Sequence, residues 1–377
     1  MNFLELRRAN LFRNHKADGY DTLLVSHPTN IRYLTGFTGS SAFVLLTPKS
    51  CLLLSDGRYE QQLAEECPGL DVHIRPHNVL QIDDLAGILQ KHGNKPVAFE
   101  AGQVTVATLE QLEEKTRKTT FVSTQGKVEA LRARKDASEV LAIRGAIAVA
   151  EKAFRMFVAM IKAGSTEIDL HNGMDHYLRL AGAKKSAFDP IVAFGERGAL
   201  PHAQPTDRPL SDSTKLLVDW GADCGYRSDI TRSLKSPFAS SPLRKNRKER
   251  MGYDFDTIYE AVLAAHHAAV AELRVGAKVN DVDTAARKAM TKHSPRDLDL
   301  STTFNHGLGH GLGLETHEYP FLRQSSEATL EAGNVVTIEP GAYIPGWGGI
   351  RIEDDYLITK DGPVRLTTLP HDPSALS

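Results

Sequence analysis

Three histidines, His306, His310 and His317, fall within twelve positions in the run HGLGHGLGLETHE, with four glycines interleaved. Each glycine costs a helix about 1 kcal/mol. An extended segment tolerates them where another backbone must approach closely. Period-2 alternation puts His306 and His310 on one face of such a segment, an arrangement suited to a metal or a polarised substrate. A glycine-rich loop with solvated histidines is the alternative.

Acidic residues in strand-like settings favour the first reading. The segment VDWGADCGYRSDI (218–230) reads as a β-hairpin with its turn over Gly221–Gly225. Asp219 and Asp229 then lie in facing arms, although aspartate is depleted from strand interiors. Asp223 lies in the turn, where aspartate is at home, and stays outside the candidate site. TIEPG puts Glu339 at the end of the apolar run Val335–Ile338. GIRIEDD puts Arg351 and Glu353 on one strand face and Ile350 and Ile352 on the other. Each acid alone reads as an exposed strand residue; together they are four carboxylates beside clustered histidines.

Four buried carboxylates without counter-charge would repel one another and take up protons. Two divalent cations bring the compensating charge. An oxygen-rich shell with one imidazole suits manganese, cobalt, iron or zinc. Such a pair of metals can lower the pKa of a shared water and polarise a carbonyl, so the reaction class is metal-assisted hydrolysis.

The elements that must position these groups fall into two parts. In the first third, strands at Thr22–Ser26, Ala42–Leu46, Cys51–Leu54, Val72–Arg75, Val97–Glu100 and Phe121–Ser123 alternate with helices at Arg58–Glu66, Ile82–His92 and Val106–Lys118. That order indicates an α/β domain with a covered sheet, over residues 1–125. Leu4, Leu11 and Phe12 share the face of a first helix. Gln125–Lys135 reads as a polar connection. In the second domain, 126–377, a long helix runs over Asp136–Ala163, with Asp136 or Ser138 as its cap. Further helices follow at Asp254–Arg274 and Val279–His293. Strands are expected at Ile191–Phe194, Lys215–Trp220, Tyr226–Leu234, Val335–Glu339 and Gly349–Thr359. The basic stretch Ser236–Gly252 reads as a solvated loop, since a nucleic-acid patch would interleave aromatic residues within a basic domain.

Composition narrows the classes. With 377 residues, 41% hydrophobic, 24% charged and a net charge of −2, the chain offers no global attraction for nucleic acid or an anionic membrane. No run approaches the length of a membrane span, and the N-terminus lacks the apolar core of a signal peptide. Three separated cysteines form neither a disulfide framework nor a thiolate zinc site, which favours a reducing compartment and a cytoplasmic protein.

DWGADCGYRSDITR, HGLGHGLGLETHE, TIEPG and GIRIEDD together resemble the pita-bread-fold metallopeptidases: prolidase, aminopeptidase P and methionine aminopeptidase. NIRYLTGFTGSS (30–41) and SDGRY (55–59) resemble the N-terminal domain of the prolidase and aminopeptidase P branch, which methionine aminopeptidases lack. The implied architecture is an α/β N-terminal domain plus an α+β pita-bread (creatinase/aminopeptidase) catalytic domain. The resemblance implies metal ligation by Asp219, Asp229, His310, Glu339 and Glu353, with Asp229 and Glu353 bridging two ions, most readily Mn²⁺. It implies His202 and His317 beside the substrate, His306 lining the site, Arg351 behind the ligands and Thr337 as a supporting residue. Glu339 is also a candidate proton shuttle. The implied activity is hydrolysis of the bond between an N-terminal residue and a following proline, in dipeptides or longer peptides, by a homodimer. Family aspartates are usually eleven positions apart; here they are ten, so a different turn or a bulge within Ala222–Gly225 is expected to absorb the change. Two other readings are a pita-bread binding module of little or no activity and a creatinase-like hydrolase working without metal. Both predict missing ligands, whereas all five positions are filled.

Overall fold

The computed structural model describes residues 3–13, 19–91, 95–236, 238 and 253–374. The chain divides into two compact units, Met1–Arg132 and Ala133–Ser377. Of the basic stretch Ser236–Gly252, all but Ser236 and Phe238 lies outside the described residues.

In the first unit, strands β1 (Thr22–Val25), β2 (Phe43–Leu46), β3 (Cys51–Asp56), β4 (Asp71–Arg75), β5 (Val97–Glu100) and β6 (Phe121–Thr124) form one sheet in the order β4-β3-β2-β1-β5-β6. β1–β5, β5–β6 and β3–β4 are parallel pairs, and β2 runs antiparallel to β1 and β3. The helices are α1 (Phe3–Arg13), α2 (Pro28–Thr35), α3 (Glu60–Glu66), α4 (Gln81–Lys91), α5 (Val106–Thr116) and α6 (Lys127–Arg132). Leu24, Leu45, Leu54, Leu85, Leu89 and Leu112 share one core, so the sheet is covered as its apolar strands require. In α1 only Leu11 is fully buried. The sequence reading missed α2, whose Asn30, Ile31, Tyr33 and Leu34 are buried. It also took α6 for an irregular connection.

The second unit opens with α7 (Ala137–Met160), where Asp136 caps the amides of Ser138 and Glu139 and the Glu139 carboxylate returns to the Asp136 amide, a capping box. After α8 (Glu167–Ala181) come β7 (Lys185–Ser186), β8 (Ile191–Phe194), β9 (Lys215–Trp220), β10 (Ala222–Asp223) and β11 (Ile230–Lys235). β9 lies between β8 and β11 in an antiparallel sheet, and β10 pairs with β7. Helices α9 (Phe255–Glu272) and α10 (Val279–Lys292) precede β12 (Gly309–Gly311), β13 (Glu318–Leu322), β14 (Val335–Ile338), β15 (Gly341–Ile344), β16 (Gly348–Arg351), β17 (Asp354–Thr359) and β18 (Gly362–Arg365). The larger sheet has the order β13-β12-β14-β17-β18, and β15 and β16 form a separate ribbon.

Two cores hold these strands. Ile143, Ile147, Phe154 and Phe157 of α7 pack with Val218, Trp220 and Ile230. The Trp220 ring stacks on Phe154 at 4.4 Å, and its Nε1 donates to Ala150 O at 3.0 Å. Ile258, Val262, Val282 and Ala286 of α9 and α10 pack with Val336, Ile338, Ile350 and Ile352. Because strand side chains alternate, anchoring Trp220, Ile338 and Ile350 to helices turns Asp219, Thr337 and Arg351 away from them.

Candidate metal centre

The two aspartates reach one face through a regular register. β9 and β11 pair Asp219 with Thr231 and Trp220 with Ile230. Asp229 lies two residues before Thr231, and positions two apart share a face, so a spacing of ten keeps both carboxylates together. Asp229 sits one residue before β11 rather than within an arm. The chain leaves this ladder at Gly221, where a Cβ would stand 2.0 Å from Ser228 O, and contributes β10 to another sheet. Asp223 belongs to β10 rather than to the turn alone. Its carboxylate accepts from the Gly225 amide at 2.8 Å and lies 3.5 Å from Arg227 Nε, so it closes the loop and does not join the site.

The glycine-histidine run is not one long strand. Only Gly309–Gly311 is extended in β12, and His306 precedes it in a bend. A register shift follows His310 in the pairing with β13. The glycines answer to close approach: a Cβ on Gly309 would lie 2.0 Å from Thr337 O, and one on Gly311 2.4 Å from Tyr319 O. The expected strand Gly349–Thr359 is likewise broken. β16 ends at Arg351 and β17 begins at Asp354, and Glu353 makes an isolated bridge to Thr231 instead.

All five expected ligand positions line one cavity of about 590 Å³, together with His202, His306, His317 and Arg351. Asp229, His310 and Glu353 each place a donor atom within 4.8 Å of the others. His310 Nε2 is 3.3 Å from Glu339 Oε1 and 3.6 Å from Asp229 Oδ2. His310 Nδ1 donates to Gly311 O at 3.1 Å, which leaves the Nε2 lone pair facing the carboxylates. Thr337 Oγ1 accepts from the His310 amide at 3.1 Å, and Thr231 Oγ1 donates to Glu353 Oε2 at 2.7 Å. Arg351 is buried; its Nη2 donates to Asp219 Oδ2 at 2.5 Å, its Nε to Thr231 Oγ1 at 3.1 Å and its Nη1 to Tyr343 OH at 2.8 Å.

His306 has both ring nitrogens occupied. Nδ1 donates to Gly307 O at 2.7 Å, and Nε2 accepts from Tyr343 OH at 2.8 Å. It therefore supports the Tyr343–Arg351 pair. His317 stands at the cavity mouth with its ring 4.2 Å from that of His310, and His202 is exposed on a loop that lines the same cavity.

The electrostatics ask for cations. Burial, then Glu353 and Asp219, pushes the Asp229 carboxyl well above the usual range. Burial, then Glu339 and Asp219, does the same to Glu353. Burial also pushes Glu339 up to about 8, with Asp219 adding to it against the pull of Arg351. Burial, then His317, brings the His310 imidazole down to about 3, so it is neutral, as a ligand must be. Asp219 Oδ1 and Asp229 Oδ1 are buried with no hydrogen-bond partner. Orphaned carboxylate oxygens around a neutral imidazole fit divalent ions that accept mixed oxygen and nitrogen donors.

The comparisons agree with this chemistry. Residues 142–360 match the model of metallopeptidase family M24, and residues 7–134 match that of the creatinase/prolidase N-terminal domain. The chain belongs to metallopeptidase family M24. An Xaa-Pro dipeptidase of Pyrococcus horikoshii is 32% identical over 349 residues, 92% of each chain. An uncharacterized peptidase of Bacillus subtilis is 34% identical over 359 residues, 95% of this chain and 96% of that one. Among solved structures, an Xaa-Pro dipeptidase from Bacillus anthracis superposes with a TM-score of 0.87 at 32% identity, covering 98% of this chain and 99% of the other. An X-Pro aminopeptidase from Thermotoga maritima does so with 0.82 at 30%, covering 96% and 99%. This M24 chain thus has the creatinase-type N-terminal domain and the pita-bread catalytic domain that its motifs resemble.

The sequence reading of this M24 site missed several cavity residues: His171, Phe188, Phe321 and Arg323. A signal existed for two of them. β13 alternates buried and exposed residues, so Phe321 and Arg323 follow His317 by period two. Tyr343 and Thr231, which orient Arg351, carry no signal in a lone sequence.

Proposed function

We propose that this protein hydrolyses the peptide bond between an N-terminal residue and a following proline, with dipeptides as its preferred substrates. The observation that carries the reading is the gathering of Asp219, Asp229, His310, Glu339 and Glu353 around orphaned carboxylate oxygens in one cavity. In this reading they hold two divalent ions, Mn²⁺ first among them, with Asp229 and Glu353 shared. When bound, the ions supply an acidic water and polarise the scissile carbonyl. Free Cys51, Cys67 and Cys224 fit a reducing, cytoplasmic compartment, and the working form is a homodimer by resemblance to the family.

The chain's own residues do the rest. Arg351 fixes the Asp219 carboxylate, and Thr231 fixes Glu353. Glu339 takes the proton released in attack and passes it to the leaving imino nitrogen of proline. His202 and His317 donate to the carbonyl oxygen as charge develops on it. Apolar Phe188, Ile191 and Phe321 line the cavity walls and suit a pyrrolidine ring.

Arg323 favours the dipeptide. Arg323 and Arg351 are the two arginines lining the cavity, and Arg351 is engaged with Asp219. Arg323 is exposed at the rim and can pair with the C-terminal carboxylate that a dipeptide carries on the proline residue itself. Arg323→Met is expected to lower kcat/KM for an Xaa-Pro dipeptide by about 10-fold or more and to leave an amidated or longer Xaa-Pro peptide nearly unaffected. Equal losses on both substrates would contradict the dipeptide preference and favour the aminopeptidase.

A further inference from the structure

A second histidine cluster lies in the catalytic unit outside the cavity just described. His266 and His267 are consecutive residues of α9, and His371 comes from the segment after β18. One ring nitrogen of each lies within 4.8 Å of the other two. The His266 and His371 rings are 4.9 Å apart, edge to face, and His267 lies 6.0 and 6.2 Å from them. None of the three lines the cavity that holds His310.

His266 is the residue without a conventional explanation. It is fully buried, yet neither ring nitrogen has a hydrogen-bond partner. Its Nε2 lies 3.3 Å from Asp354 Oδ2, without hydrogen-bond alignment. A buried, unpartnered imidazole carries a desolvation penalty. An apolar residue at this position of α9 would avoid it.

The surroundings select the kind of ligand. Asp354 accepts from His371 Nε2 at 2.5 Å, from Arg232 and Arg365 at 2.8 Å each and from Thr367 at 2.6 Å. Two guanidinium groups therefore more than balance its single negative charge, and it is not a spare anion for an ion. The bond to His371 is the orienting contact that carboxylates make to metal-ligating imidazoles. His266 and His267 offer imidazole nitrogens, and neither adds a carboxylate to the cluster. Neutral imidazoles with no spare anion exclude Ca²⁺ and Mg²⁺, which need oxygen donors, and suit Zn²⁺. Nitrogens around a tetrahedral zinc stand about 3.4 Å apart. Reaching that spacing requires the exposed His267 ring to rotate, with the fourth position left to water.

We propose that His266, His267 and His371 form a second metal site, selective for zinc, that clasps the C-terminal segment to α9. That segment is already held by Arg232 donating to Leu369 O and Pro370 O. The ion adds a link between its far end and the helix layer.

The test is zinc stoichiometry by equilibrium dialysis at fixed free zinc, on wild type, His267→Ala, His371→Ala and Glu353→Gln. His267 and His371 are exposed or half-buried, so these variants keep the fold, which circular dichroism checks. The first two are expected to bind one zinc ion fewer than wild type, and their Mn²⁺-loaded forms to hydrolyse Xaa-Pro substrate unchanged. Glu353→Gln is expected to lose ions from the other cluster and to keep this one. Zinc should also slow amide hydrogen exchange over residues 366–373 in wild type and not in His267→Ala. Equal stoichiometry in wild type and His267→Ala, or the same zinc-dependent protection in both, would overturn the assignment without touching the peptidase reading.

Discussion

Arg351 of β16 donates from Nη2 to Oδ2 of Asp219 in β9 at 2.5 Å, with the Asp219 Oδ1 atom left unpartnered. One oxygen is held by protein and the other is presented to the cavity. Removing the holder frees the carboxylate to turn. Arg351→Lys cannot keep the bonds to Asp219, Tyr343 and Thr231 at once. It is expected to weaken metal affinity about 10–100-fold, measured by competition against a chelating dye. Unchanged affinity would show that Asp219 is oriented by something else.

Asp229→Asn and Glu353→Gln are expected to cost far more activity than Asp223→Asn. Asp229 and Glu353 face the cavity, whereas the Asp223 carboxylate is spent on the Gly225 amide and Arg227. Losing that loop contact costs about 1 kcal/mol of stability. Comparable losses of kcat in Asp223→Asn and Asp229→Asn would contradict the register that puts Asp229, not Asp223, on the face of Asp219.

Much of this site could be read from the sequence, for a physical reason. Acids interrupting apolar runs, as at Asp219 and Glu339, conflict with strand propensity, and such conflict marks function. The glycines around His310 announced close backbone approach, and Thr337 O and Tyr319 O supply it. The breaks were not legible. The gap between β16 and β17 arises because Glu353 bridges to Thr231, 122 positions away. The β10 excursion depends on pairing with β7. Helix α2 hid behind a proline start and β-branched residues, and burial of its Ile31 and Leu34 decides its state. His202 reads as an ordinary loop residue until the fold brings it to the cavity.

Metal-free protein should lose stability as pH rises. Folding raises the Glu339 carboxyl from 4.5 to about 8. Between those values the native state holds a proton that the unfolded state has lost, so stability falls with rising pH across that window. Asp229 and Glu353 are shifted the same way. The Tm of the chelated protein is therefore expected to fall between pH 5 and 8 relative to that of Glu339→Gln, with added Mn²⁺ restoring more at pH 8 than at pH 5. A difference that grows in favour of wild type with pH would contradict the shift.

The histidines should separate by role. His310→Ala is expected to lower metal content and activity together. His202→Ala and His317→Ala are expected to lower kcat by about 10²–10³-fold at near-normal metal content. Elemental analysis beside steady-state kinetics on the three variants decides it. Metal loss in His317→Ala with retention in His310→Ala would reverse the assignments within HGLGHGLGLETHE.

The central claim is that the buried carboxylates and His310 work only with divalent ions between them. The direct measurement is the rate of Xaa-Pro hydrolysis by protein stripped of metal, verified by elemental analysis, before and after adding Mn²⁺ or Co²⁺. The stripped protein should be inactive, and activity should return with ion occupancy. Full turnover by protein that contains no metal would contradict the account.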